Sequence, residues 1–146
     1  MVTGRQTLVV VFMCFVCLPS LKQQEADDRI CTQDIVKTVQ QLILKAPGMK
    51  WLESRLYTPT ITDYKKCPSS TVKCFAAEIK VLTEEWKIFN PEFKKFKLNL
   101  LLGELATLFN KTEVECPQCE LLKEQDAEKF LRYLLSTLQA INTEYC

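Results

Sequence analysis

Four stretches of this chain place apolar residues three and four positions apart, and that repeat limits the fold more than any other feature. The first runs from about Arg29 to Lys45, with Ile30, Ile35, Val36, Val39, Leu42 and Ile43 on one side and Ala46-Pro47-Gly48 as a stop. The second follows Pro68, with Ser69 or Ser70 as N-cap, and its stripe is Val72, Phe75, Ile79, Leu82 and Trp86. The third opens at Asn90-Pro91, a cap residue before the imino acid that suits the first helical position, and carries Phe93, Phe96, Leu98, Leu101, Leu102, Leu105, Leu108 and Phe109. The fourth covers about Ala127 to Thr143, with Asp126 as N-cap and Phe130, Leu131, Leu134, Leu135, Leu138 and Ile141 on one face. No segment alternates like a strand for long. Four such stripes bury themselves against one another, so the expected fold is all-α, a short-chain four-helix bundle.

Link lengths choose among the bundle topologies. The first link, about Ala46 to Pro68, is long and holds Pro59, with room for a short turn around Trp51–Tyr57; the second, Lys87–Phe89, is very short. Short links join antiparallel neighbours. The third, Lys111 to Gln125, reaches up to ~50 Å when extended, enough to return along a helix of about 25 Å. Long, short, long predicts the up-up-down-down order.

The amino terminus has the layout of a secretory signal peptide: Arg5, the apolar run Leu8–Leu18, then Pro19 and Ser20. The run is too short to span a bilayer. Residues 1–20 are therefore read as removed on export, with cleavage as late as Ala26, and residues 27–146 as one domain. Export carries off Cys14 and Cys17 and leaves Cys31, Cys67, Cys74, Cys116, Cys119 and Cys146, an even set that reads as a disulfide framework. Cys116-Pro117-Gln118-Cys119 also admits a redox dithiol or, with Cys67 and Cys74, a zinc site. The redox motif needs a βαβ setting that is missing, and a zinc site usually has a second close pair or a histidine, of which there is none.

In the expected topology the first and fourth helices are antiparallel, which brings Cys31 to the same end as Cys146 as a terminal clasp. Cys67 and Cys74 flank the start of the second helix at that end, and Cys116 and Cys119 follow the end of the third. Two crossing bridges result, with the choice of partners left open by geometry.

Past residue 20 there are 18 basic and 18 acidic side chains, so the domain has no net charge and nothing marks it as a polyanion or nucleic-acid binder. With no histidine and only three glycines, the chain lacks a Ser-His or Cys-His couple, an imidazole metal ligand and a Gly-rich phosphate loop. An enzyme, a resident cofactor and a metal centre are all disfavoured. A secreted helical carrier of lipid or odorant remains as an alternative; its core would hold a cavity, whereas a signalling bundle would be filled. Asn110-Lys111-Thr112 is the one N-glycosylation sequon.

A combination of short motifs carries a family resemblance: Leu56-Tyr57-Thr58, Cys67, Lys73-Cys74-Phe75 with Glu78 four past the cysteine, Asn110-Lys111-Thr112, Cys116-Pro117-Gln118-Cys119-Glu120, and Lys129-Phe130-Leu131. The domain resembles the interleukin-2/interleukin-15 family of cytokines over nearly its whole length, the interleukin-15 branch above all, with interleukin-21 more distant. The resemblance implies the pairs Cys67–Cys116 and Cys74–Cys119; Cys31 and Cys146 depart from the interleukin-15 pattern. It also implies a secreted protein, monomeric when free, whose partners are a beta receptor chain, the common gamma chain and, in the interleukin-15 branch, a sushi-type alpha chain, assembled to bring Janus kinases together.

Residue roles follow from the same resemblance. Gln139, on the last helix, corresponds to a glutamine that meets the common gamma chain. Asn99, on the third, corresponds to an asparagine facing the beta chain. Asp34 is the acidic residue nearest the family's beta-chain aspartate, although an ungapped match puts Ile35 there. Glu78 and Glu85 lie seven apart on one face of the second helix, and with Tyr57 and Glu120 resemble the alpha-chain site. Without the resemblance each would read as an ordinary solvated side chain. Trp51 and Trp86 are expected to fill the core, and Lys94, Lys95 and Lys97 to be the wet face of the third helix.

Overall fold

The computed structural model describes residues 30–95, 97–109, 113 and 115–146; the segment read as a signal peptide and the Asn110 sequon lie outside them. In chain order come α1 (Gln33–Lys45), a 3-10 helix (Ala46–Leu52), β1 (Arg55–Tyr57), α2 (Ile61–Lys66), α3 (Pro68–Lys87), a 3-10 turn (Pro91–Lys95), α4 (Leu98–Thr107), a 3-10 turn (Cys119–Leu121), β2 (Glu124–Asp126) and α5 (Ala127–Tyr145). The bundle consists of α1, α3, α4 and α5.

Contacts at the two poles fix the helix directions. The Cys31–Cys146 disulfide holds the start of α1 to the end of α5, and the Thr32 N–H and hydroxyl both donate to Asn142 Oδ1, at 2.7 and 2.6 Å. Ser69 Oγ donates to the Ala106 carbonyl at 2.9 Å, setting the start of α3 beside the end of α4. Tyr64, in α2, donates its hydroxyl to Glu144 at 3.1 Å, and Phe109 lies edge-on to both Tyr64 and Tyr145. Burial and the adjacent Glu144 charge push the Tyr64 hydroxyl far above its usual range, so it stays a donor. The starts of α1 and α3 thus share a pole with the ends of α4 and α5, which is up-up-down-down. At the other pole Lys45 pairs with Glu92 at 2.5 Å.

Between the poles the stripes interlock. Val39, Leu42, Phe75, Ile79, Leu82, Trp86, Leu98, Leu102, Phe130 and Leu138 are fully buried, and such side chains contribute roughly 1.5–3 kcal/mol each in transfer free energy. Phe75 meets Phe130 at 5.5 Å between ring centroids, and Trp86 meets Phe93 at 5.1 Å. Protein side chains occupy the centre, as a filled signalling bundle requires and a lipid carrier does not. Trp51 departs from expectation: it is 62 % exposed and lies edge-on to the exposed Phe89, because its 3-10 helix follows the end of α1 and sits off the bundle stripe.

The third helix is also shorter than the periodicity predicts. Buried Leu98, Leu102 and Leu105 line one face of α4, but on a continuous helix Phe93 would point about 140° away from them, at 100° per residue. The chain breaks instead: Pro91–Lys95 forms a 3-10 turn, Lys97 leaves helical geometry, and Phe93 turns inward against Trp86. Lys94 and Lys97 therefore lie on the connection into α4 and not on a helix face.

Asp126 caps α5 as expected, accepting the Lys129 N–H at 2.9 Å. At α3 the caps are different, since the helix begins at Pro68 and neither serine caps it. Glu113, from the segment after α4, accepts the Ser69 N–H at 2.5 Å, the Ser70 N–H at 3.1 Å and the Ser70 hydroxyl at 3.0 Å. A carboxylate there satisfies orphan donors and suits the positive end of the helix dipole. Glu113→Ala is expected to lower unfolding free energy by about 2 kcal/mol, with Glu113→Gln intermediate, measured by urea denaturation. An unchanged midpoint in the alanine variant would show that the cap contributes nothing.

The two crossing loops meet in a small antiparallel ladder, Arg55 opposite Asp126, Leu56 opposite Gln125 and Tyr57 opposite Glu124, with Leu56 buried beneath it. Two disulfides, Cys67–Cys116 and Cys74–Cys119, tie the second crossing loop to the start of α3.

Candidate functional site

The ladder and the Cys74–Cys119 bridge gather carboxylates around α3. Cys74 is one helical turn before Glu78, and its partner Cys119 carries Glu120 on the adjacent 3-10 turn. On the other side, β1 delivers Tyr57 and β2 delivers Glu124. Half-buried Glu78 accepts the Tyr57 backbone N–H at 3.1 Å. Burial raises its carboxyl above the usual range; the Tyr57 N–H acts against that, and the charges of Glu120 and Glu124 raise it further. Tyr57, Glu78 and Glu120 therefore share one patch, joined by Glu124, which sequence reasoning missed. Only the register of two three-residue strands brings Glu124 there.

Glu85 lies two turns along α3 and accepts a short hydrogen bond from Ser54 Oγ, beside β1. Glu78 and Glu85 are thus not merely solvated. Both hold the first crossing loop against α3, so reversing their charge would disturb the loop as well as the surface.

The remaining candidates divide among three other faces. Gln139 is exposed on α5, one turn before the Asn142 that binds Thr32, and so lies on the side of α5 that adjoins α1. Asp34 is exposed on the first turn of α1, and its neighbour Ile35 lines a groove of about 370 Å³ with Leu101, Glu104, Leu105 and Leu108 of the α4 segment. Asn99 is half-buried in a different groove, between α3 and α4, with Lys80, Lys87 and Lys94. Asp34 and Asn99 are not brought together. What the α1–α4 side offers from α4 is Leu101, 44 % exposed, with exposed Glu104, while Leu100, 58 % exposed, lies on the outer side of α4. A helical wheel anchored on Leu98, Leu102 and Leu105 places both leucines off the core stripe, a signal the sequence contained.

The cysteine cluster does not present a metal site. The sulfurs of Cys67 and Cys116 and a Glu113 carboxylate oxygen lie within 4.8 Å of one another, but the sulfurs are bonded together and the carboxylate caps α3. Zinc binding needs thiolates. Among the described residues no helix is long and apolar enough to cross a membrane.

The arrangement is that of a disulfide-braced bundle with a core of buried side chains and several separate outer faces. A family model described as Interleukin 15 matches residues 9–142, which take in α1, α3, α4 and most of α5. Comparisons with curated proteins and with solved structures return no match. The chain belongs to the interleukin-15 family, whose members are secreted signalling cytokines that act on cytokine receptors and are not enzymes.

Proposed function

We propose that this cytokine brings a beta receptor chain and the common gamma chain together, with a sushi-type alpha chain docked on the acidic patch, and thereby triggers Janus kinase signalling in lymphocytes. The observation that carries the proposal is the separation of three outer faces on one bundle. The acidic patch of Tyr57, Glu78, Glu120 and Glu124 sits beside α3 and the ladder, exposed Gln139 lies on α5, and exposed Asp34 precedes the Ile35 that lines the α1–α4 groove with Leu101 and Glu104. Three partners can then bind without competing. Gln139 serves the gamma chain, and Asp34 with Leu100, Leu101 and Glu104 serves the beta chain, the leucines taking the place first given to Asn99. The mature form begins after residue 20 or as late as residue 27, is a monomer when free, and carries an N-glycan at Asn110.

The test is to add purified mature protein to lymphocytes and read phosphorylation of the signal transducers downstream of the common gamma chain, alongside binding to a sushi-type ectodomain. Glu120→Lys with Glu124→Lys reverses patch charge without touching the Tyr57 N–H bond to Glu78. This pair is expected to slow alpha-chain association at least tenfold, most strongly at low salt, because charge steers the encounter. Signalling by wild type with unchanged alpha binding by the pair would remove the patch from the proposal. No phosphorylation at all would remove the receptor assignment.

A further inference from the structure

Zero net charge conceals a strong local segregation of lysines. On α3, Lys73, Lys80 and Lys87 recur every seven residues and all are exposed. Seven residues advance a helix by nearly two whole turns, so the three ammonium groups line one stripe at intervals of about 10.5 Å. The break before α4 adds exposed Lys94 alongside. A groove between the two elements is lined by Lys80, Lys87 and Lys94 with Thr83, Phe93 and Asn99, and Glu84 is its one acidic residue. None of these four lysines makes a salt bridge among the described residues. Unpaired like charges on one face repel one another, a cost that a polyanion would remove.

The position of the stripe is equally informative. The α3–α4 side is a fourth face, distinct from the α1–α4 groove, the Gln139 side of α5 and the acidic patch under the ladder. A ligand there leaves the three receptor faces free.

We propose that the α3–α4 face binds a sulfated glycosaminoglycan. The occupant follows from charge complementarity and compartment. A secreted cytokine meets few linear polyanions, and a chain carrying regularly repeated sulfates matches lysines repeated along a helix. The contacts are charge-assisted bonds between ammonium groups and sulfate oxygens. Lysine acts here as a point charge and reads charge density more than sequence. Binding concentrates the cytokine at cell surfaces and matrix while it remains competent to signal.

The test uses the folded mature protein on immobilised heparin, with a salt gradient. Wild type should be retained at physiological salt and elute above it. Lys80→Gln with Lys87→Gln and Lys94→Gln should lose at least about tenfold in affinity, and the slope of log affinity against log salt should flatten by just under one unit for each contact removed, on the counterion-release rule. A control removing equal charge elsewhere, Lys37→Gln with Lys123→Gln and Lys129→Gln, should elute with wild type. Lymphocyte signalling by the α3–α4 variant in free solution should be unchanged, which keeps this inference separable from the receptor assignment. Equal loss in both triple variants, or no retention of wild type at physiological salt, would overturn it. Tighter binding to single-stranded DNA or to phosphatidylserine vesicles than to heparin would overturn the choice of ligand.

Discussion

Gln139→Asp is expected to abolish recruitment of the common gamma chain and, with it, signalling. Gln139 is exposed in the free protein, so a carboxylate there stays hydrated and the bundle is untouched. The penalty arises on binding, when the contact strips water from the side chain. An ordinary lost hydrogen bond costs about 1–3 kcal/mol, whereas an unpaired buried charge costs several kcal/mol more. A loss of about 4 kcal/mol is nearly a thousandfold in affinity. The proposed beta face lies on α1 and α4, so the variant should still occupy the beta chain and compete with wild type as an antagonist. Circular dichroism should show an intact helical bundle, and beta-chain binding by surface plasmon resonance should be unchanged. Full-strength signalling by this folded variant would mean that α5 is not the gamma-chain face.

Loss of the Cys74–Cys119 bridge should have the largest effect on the fold. Cys74→Ser with Cys119→Ser opens a link between residues 45 apart and leaves a serine hydroxyl at the buried position 74. Removing a native disulfide from a small secreted domain typically costs about 2–5 kcal/mol. A fall in Tm on the order of 10 °C follows for a domain of this size. The same change frees the turn that carries Glu120 beside Glu78, so alpha-chain binding should fall even at temperatures where the variant is folded. Cys31→Ala with Cys146→Ala is the informative comparison: it also removes a bridge, but at the α1–α5 pole, away from the patch. It should lower Tm and leave alpha-chain affinity intact. Equal losses of binding in both variants would mean that the bridge acts through global stability alone.

Architecture was legible because helical periodicity and link length are local properties. The stripes through Val72–Trp86 and Phe130–Ile141 each announce a helix with one buried face, and two long links with a shorter one between them, itself longer than the expected Lys87–Phe89, leave few ways to pack four of them. The pole that unites Cys31 with Cys146 follows once helix directions are known. The sites were less legible. Gln139 and Asp34 lie on exposed surface, and nothing in a run of residues distinguishes a recognition glutamine from a solvated one.

Other features depended on which elements meet in space. Phe93 faces inward against Trp86, with the Lys45 ammonium over its ring, and the break that allows this divides the predicted third helix and moves Lys94 onto the connection. Glu113 caps a helix more than forty residues earlier, and a three-residue ladder too short to show alternation brings Glu124 to Glu78. Asn99 turned toward α3, leaving Leu100 and Leu101 on the outer surface. The sequence by itself determined the four bundle segments, their order and the disulfide-braced class, because each rests on spacing along the chain. Only the tertiary structure decided which carboxylates form a patch and which lysines form a stripe, because charge density at a surface is set by distances between elements that no local pattern encodes.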